Sequence, residues 1–146
     1  MERPELIELQ RHLDPRGNLA IIEEMEHVPF KIKRVHWIYD VPGGGERWGH
    51  AYRRNSEFIV AISGSFDVIV DSGDTRETFT LNRSYIGLSL PAGLWRKLDN
   101  FSTNAVAVVL SSEPYDESDY MEDFEQYLNF RKEIADASAE IKEEMK

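Results

Sequence analysis

The sequence predicts a single all-β domain, a sandwich or barrel, with an acidic helical segment after it. Short runs rich in β-branched and aromatic residues recur between glycine, proline and Asx turns: "IKRVHWIYDV", "FIVAISG", "FDVIVDSG", "TFTLN", "YIGLSLP" and "AVAVVLSS". The "VDSGDTR" stretch reads as a hairpin turn, and the strand before it alternates, with Phe66, Val68 and Val70 on one face and Asp67 and Ile69 on the other. Elsewhere the alternation is imperfect, which predicts that some strands are covered on both faces. After Ser112 the strand signal stops. Tyr120, Phe124, Tyr127 and Leu128 recur at helical intervals, which predicts a short docked helix; from about Arg131 apolar groups are few, and a tail is expected that is exposed or packed on another copy.

With 146 residues and 41% apolar content, one domain with a real core is the expectation. The absence of cysteine removes thiolate nucleophiles, disulfides and cysteine-ligated zinc. "MERPELIELQRHLDPRGN" has no apolar h-region, and no run approaches the roughly 18 apolar residues of a membrane span, so a cytoplasmic protein with no membrane association is expected. The formal charge is -10, but residues 113–146 carry 12 acids against 4 bases and residues 1–112 carry 15 against 13. A basic pocket around "RWGHAYRR" or "WRK" is therefore compatible with an acidic protein. A nucleic-acid polymer is not an expected partner, because that needs an extended basic face.

The chemistry concentrates in "GERWGHAYRRNSEFIVAISG". His50 and Tyr52 share a face if this segment is extended, and Glu57 returns on the next strand. The spacing from Gly44 through His50, Tyr52 and Glu57 to Gly64 resembles the first motif of the cupin superfamily, in which His, His and Glu bind a metal. A second cupin-like segment runs from Pro91 and Gly93 to Arg96 and Asn100, with Arg96 at the usual histidine position. Arg96 has no lone pair and keeps its charge, so one imidazole, one carboxylate and a phenol make a poor cage, and no metal is expected. The same substitutions suit an anion. Arg96, Arg47 or Lys97 can neutralise phosphate oxygens, and Trp95, Trp48 or Trp37 can cover a sugar or base face. The alternative is that the tryptophans fill a barrel and the arginines cap its rim.

The ordered segments "DPRGNLAIIEE", "VPFKIKRVHWIYDVP", "ERWGHAYRR", "FIVAISGSFDVIVDSG", "GLSLPAGLWRKLDNFS" and "VAVVLSSEPYDESDYMEDFEQYL" resemble the dTDP-sugar 3,4-ketoisomerase family, also described as WxcM-like, from about Asp14 to Leu128. The resemblance implies a single cupin-type jelly-roll barrel over residues 14–112, an N-terminal arm over 1–13 that is often exchanged in a homodimer, and a helical extension over 113–146. It also implies a dTDP-linked keto-deoxysugar as substrate, no cofactor and no metal. By position, His50 matches the first histidine of the family's His-Ala-His segment, Arg47 the preceding arginine, and Arg96 the arginine after the tryptophan, here Trp95. The chain departs at Tyr52, where the family has its second histidine, at Glu57, where close relatives have glutamine, and at Trp37, where they often have tyrosine.

Moving a keto group from C4 to C3 through an enediol needs a base near neutrality and donors for the enolate oxygen. His50, with an ordinary pKa of about 6.5, is the expected base, oriented by Glu57. Tyr52 is the expected donor, with Arg47 or Arg96 as cations able to depress its pKa. The other readings are a noncatalytic sugar-nucleotide-binding cupin or partner subunit, in which Tyr52 only fills the space of a lost imidazole, and a related isomerase or epimerase.

Overall fold

The alternation seen at Phe66, Val68 and Val70 organises the structure, a computed structural model that describes residues 3–146 with the Trp48 side chain outside the description. In chain order the first strands are β1 (Glu5–Glu8), β2 (Gln10–His12), β3 (Leu19–Ile21), β4 (Arg34–Ile38), β5 (Arg47–Tyr52) and β6 (Glu57–Ser63). They continue as β7 (Phe66–Asp71), β8 (Arg76–Leu81), β9 (Ile86–Leu90), β10 (Trp95–Asp99), β11 (Val106–Ser111) and β12 (Tyr120–Met121), followed by helix α1 (Phe124–Glu144). Two five-stranded antiparallel sheets result, β1-β9-β6-β11-β4 and β12-β5-β10-β7-β8, with β2 and β3 forming a separate ribbon. From β4 onward the chain crosses repeatedly between the two sheets. The molecule is mostly β, with a C-terminal helix, consistent with a cupin-like fold.

The main core lies between the sheets. Ile59, Ala61, Leu88, Leu90, Ala107 and Val109 of one sheet meet Phe66, Val68, Val70, Leu81 and Leu98 of the other. A second core covers the outer face of the first sheet, where Phe58, Val60 and Leu110 are buried by Leu9, Val28 and Phe30. This is why β6 is buried on both faces over residues 57–61 and shows no simple alternation. At its end Gly64 takes a φ of 67°, a left-handed conformation that glycine adopts without strain, and turns the chain into β7. The arm expected over residues 1–13 pairs within this chain where it is described, Glu5–Glu8 against β9 and Gln10–His12 against β3.

The segment after Ser112 differs from the helical reading at one important residue. Tyr120 does not enter a helix but pairs with Tyr52 across β12 and β5. The anchor is Asp119, whose buried carboxylate accepts hydrogen bonds from the backbone N–H groups of Arg54 (2.8 Å) and Asn55 (3.0 Å). Helix α1 then begins on an Asp123 cap that accepts from Glu125 N at 3.1 Å. It is one continuous helix of 21 residues rather than a short helix and tail. Its first turns dock through buried Tyr127, whose hydroxyl lies 2.8 Å from Gly93 O and 3.1 Å from Asp71 O. No helix among the described residues is long and apolar enough to cross a membrane.

Candidate active site

A cavity of about 570 Å³ is lined by residues of β4, β5 and β12. Its lining includes Arg34, His36 and Ile38 from β4, Arg47, Gly49, His50 and Tyr52 from β5, and Tyr115 and Tyr120 from the segment after β11. Strand geometry explains the first set, because residues two apart share a face and Val35 and Trp37 necessarily point the other way. On β5 the register slips against β10: Arg96 pairs with His50 but Leu98 with Arg47. This bulge lets residues three apart, Arg47 and His50, reach the same cavity.

The aromatic groups form a cluster. The His50 and Tyr52 rings meet edge-on with centroids 5.0 Å apart, the Tyr52 and Tyr120 rings lie at 4.6 Å, and His50 and Tyr120 at 5.6 Å. The Tyr52 hydroxyl donates to the Tyr120 hydroxyl at 3.3 Å. Burial raises the Tyr52 phenol well above its ordinary value, helped by the Glu57 charge and the Tyr120 hydrogen bond against the pull of Arg96. The expected depression of Tyr52 by nearby cations is therefore reversed, and the phenol stays a proton donor. Burial works against the Arg34 charge, but the Tyr120 and Tyr52 hydroxyls hold the guanidinium above its usual pKa. Arg34 Nε is buried without a hydrogen-bond partner among the described residues.

Beneath Tyr52, Arg96 and Glu57 form an ion pair through Arg96 Nη1 and Glu57 Oε1, with side chains 0% and 3% exposed. Arg96 also donates to Leu94 O through Nε (3.3 Å) and Nη2 (3.2 Å), and its guanidinium carbon sits 5.1 Å from the Tyr52 ring centroid. Two expectations change here. Arg96 is not placed to receive phosphate oxygens, since it is buried among protein partners and does not line the cavity. Glu57 likewise commits its Oε1 to Arg96 and is not among the residues that line the cavity. The pair also settles the donor set: the carboxylate of a cupin cage is bound to a guanidinium with no lone pair, so these residues do not fit a divalent ion.

The remaining expected ligand contacts lie elsewhere. Trp95 faces outward from β10 and packs on Phe124 (5.1 Å) and Tyr127 (5.8 Å) of α1. Its close approach to β5 depends on Gly49, where a Cβ would lie 2.7 Å from the indole. Lys97 is on the same outer face and pairs with Glu46 at 2.8 Å. Trp37 is 60% exposed on the outer face of β4, away from the cavity. The Trp48 side chain lies outside the described residues. His50, Tyr52 and Arg47 are thus brought together, while Arg34, His36, Tyr115 and Tyr120 are cavity residues that the sequence did not single out.

Comparison with known proteins agrees with this architecture. The family described as FdtA: WxcM-like, C-terminal matches residues 2–132. A TDP-4-oxo-6-deoxy-alpha-D-glucose-3,4-oxoisomerase of Aneurinibacillus thermoaerophilus is 38% identical over 135 residues, covering 92% of this chain and 95% of that protein. The WlaRB TDP-quinovose 3,4-ketoisomerase of Campylobacter jejuni superposes with a TM-score of 0.84 at 34% identity, over 88% of this chain and 99% of that one. The sugar 3,4-ketoisomerase QdtA of Thermoanaerobacterium thermosaccharolyticum, solved in complex with TDP, gives 0.86 at 30% identity over 89% and 95%. The chain belongs to the WxcM-like sugar 3,4-ketoisomerase family.

Proposed function

We propose that the chain is an enzyme that converts a dTDP-linked 4-keto-6-deoxyhexose to its 3-keto isomer without a metal. The observation that carries this reading is the convergence of His50, Tyr52 and two arginines on one cavity in a member of this family. His50 takes the C3 proton, and the electron pair forms the C3–C4 double bond as charge develops on O4. Tyr52, held protonated, donates to that oxygen, and Tyr120 and Tyr115 extend the row of hydroxyls beside it. Return of the carbon proton to C4, with loss of the O3 proton, gives the 3-ketone and a C4 hydroxyl. No redox partner is required. Arg34 and Arg47 supply charge-assisted donors for substrate oxygens, and the free Nε of Arg34 supports that role.

Glu57 and Arg96 act from below, as a pair that seats the Tyr52 ring. Trp95 anchors α1 behind β5. The two sheets are proposed to form one cupin-type jelly-roll barrel over residues 14–112, flanked by the arm at 1–13 and the helical segment at 113–146. A homodimer is also proposed: Val35, Trp37 and Tyr39 leave apolar surface exposed beside the outer core, and the β1–β9 pairing is one that two copies can exchange. Incubation of the purified protein with TDP-4-keto-6-deoxyglucose and NMR analysis of the sugar tests the activity. Appearance of the 3-keto isomer supports it, and binding without conversion favours a noncatalytic sugar-nucleotide-binding protein.

A further inference from the structure

The cavity contains a second imidazole. His36 projects from β4 into the same space as His50 and Tyr52, but from the opposite sheet. Its row across the first sheet is His36, Val109 and Ile59, and the adjacent row is Arg34, Ser111 and Glu57, so the register that buries Glu57 also sets the ring inside the molecule. The family resemblance puts two histidines on the β5 strand, at positions 50 and 52. This chain has tyrosine at 52 and keeps the number of cavity imidazoles at two by carrying one on the facing strand.

We propose that His36 is the second acid–base group of the reaction, carrying the hydroxyl proton from O3 to O4 while His50 carries the carbon proton from C3 to C4. This inference rests on the ketoisomerase reading of the cavity. The balance closes on these two groups. His50 removes H–C3 and later protonates C4; neutral His36 accepts the O3 proton as the C3 carbonyl forms, then delivers it to O4. Each imidazole ends as it began, and Tyr52 donates to O4 throughout. One ring cannot readily serve both pairs of atoms from one edge, whereas rings on facing sheets approach the sugar from two directions.

The surroundings suit a neutral acceptor. Burial lowers the His36 pKa, the Glu57 charge opposes this, and the Arg34 and Arg47 guanidiniums reinforce it. From β5 and the segment after β11, His50, Tyr52, Tyr115, Tyr120 and Glu122 are the other titratable groups facing this space.

The test follows two signals with TDP-4-keto-6-deoxyglucose in deuterated buffer, wash-out of the C3 proton and formation of the 3-keto product. His36→Gln is expected to lower product formation by about 100-fold or more, in the range of a lost general acid–base group, while C3 wash-out and TDP binding persist. Adding Tyr52→His to that variant is expected to recover at least about ten-fold of the turnover, since the new imidazole takes the hydroxyl proton on one nitrogen while its N–H replaces the Tyr52 donor to O4. Product formation within about two-fold of wild type in the single variant overturns the proposal, as does parallel loss of wash-out with binding intact. Absence of rescue by the second substitution also counts against it. If wild type itself shows neither signal, the ketoisomerase reading is what has failed.

Discussion

Glu57 and Arg96, 39 residues apart in sequence, form a buried ion pair directly under the Tyr52 ring. The pair takes the two residues that would otherwise be ligand and phosphate contact and makes them a support for the cavity floor. Breaking one partner leaves a buried charge, which costs about 3–5 kcal/mol. Arg96→Met and Glu57→Leu are each expected to lower the unfolding free energy by that much in denaturant titration, and the double variant to lose less than either. A Arg96→Met protein of unchanged stability with weakened TDP binding would return Arg96 to the ligand.

Gly49 offers a separate test of how the site is built. A methyl group there meets the Trp95 indole at 2.7 Å, so the indole and the helix packed on it must move. Gly49→Ala is expected to destabilise by about 1–3 kcal/mol, the usual cost of overpacking, and to quench or shift tryptophan fluorescence. A neutral effect would show that α1 docks independently of β5.

Much of this arrangement was legible in the sequence, and the misses share a cause. The alternation of Phe66, Val68 and Val70, and the shared face of His50 and Tyr52, follow from the two-residue period of a strand and appear as expected. The "IKRVHWIYDV" run is equally clearly a strand, yet the period does not say which face is inside. Hydrophobicity points to Val35, Trp37 and Tyr39, whereas the structure exposes these and turns Arg34 and His36 inward. A face carrying arginine and histidine at i and i+2 was the available signal. Tyr120 gave none, because its place depends on Asp119 capturing the backbone of Arg54 and Asn55, more than 60 residues away. The Glu57–Arg96 contact is likewise a matter of register, set by β5, β6 and β10 together.

Stability should depend on pH through His36. Burial first, then Arg34 and Arg47, hold its folded pKa below the ordinary value of about 6.5. Between those two values the unfolded chain binds a proton that the folded chain refuses. Stability is therefore unaffected by this group above about pH 6.5 and falls as pH drops through 6.5 towards the folded value. In thermal melts from pH 8 to pH 5, wild type is expected to lose more of its Tm than His36→Gln. Equal losses would place the acid sensitivity elsewhere.

Tyr52 should behave as a donor and not as a base. Tyr52→Phe is expected to lower kcat by about 100- to 1,000-fold, the range for losing one donor to a developing oxyanion, with little change in TDP affinity. Because the phenol is held above its ordinary pKa, no alkaline loss of activity below pH 10 should disappear in the variant. A lost alkaline limb would mean that the phenolate forms in the working range.

The most direct test of the central claim is deuterium uptake by the sugar in heavy water with wild type and His50→Asn compared at equal occupancy. The account predicts incorporation at C3 or C4 with wild type and a loss of about 100-fold or more in the variant while TDP still binds. Undiminished incorporation by His50→Asn would contradict it.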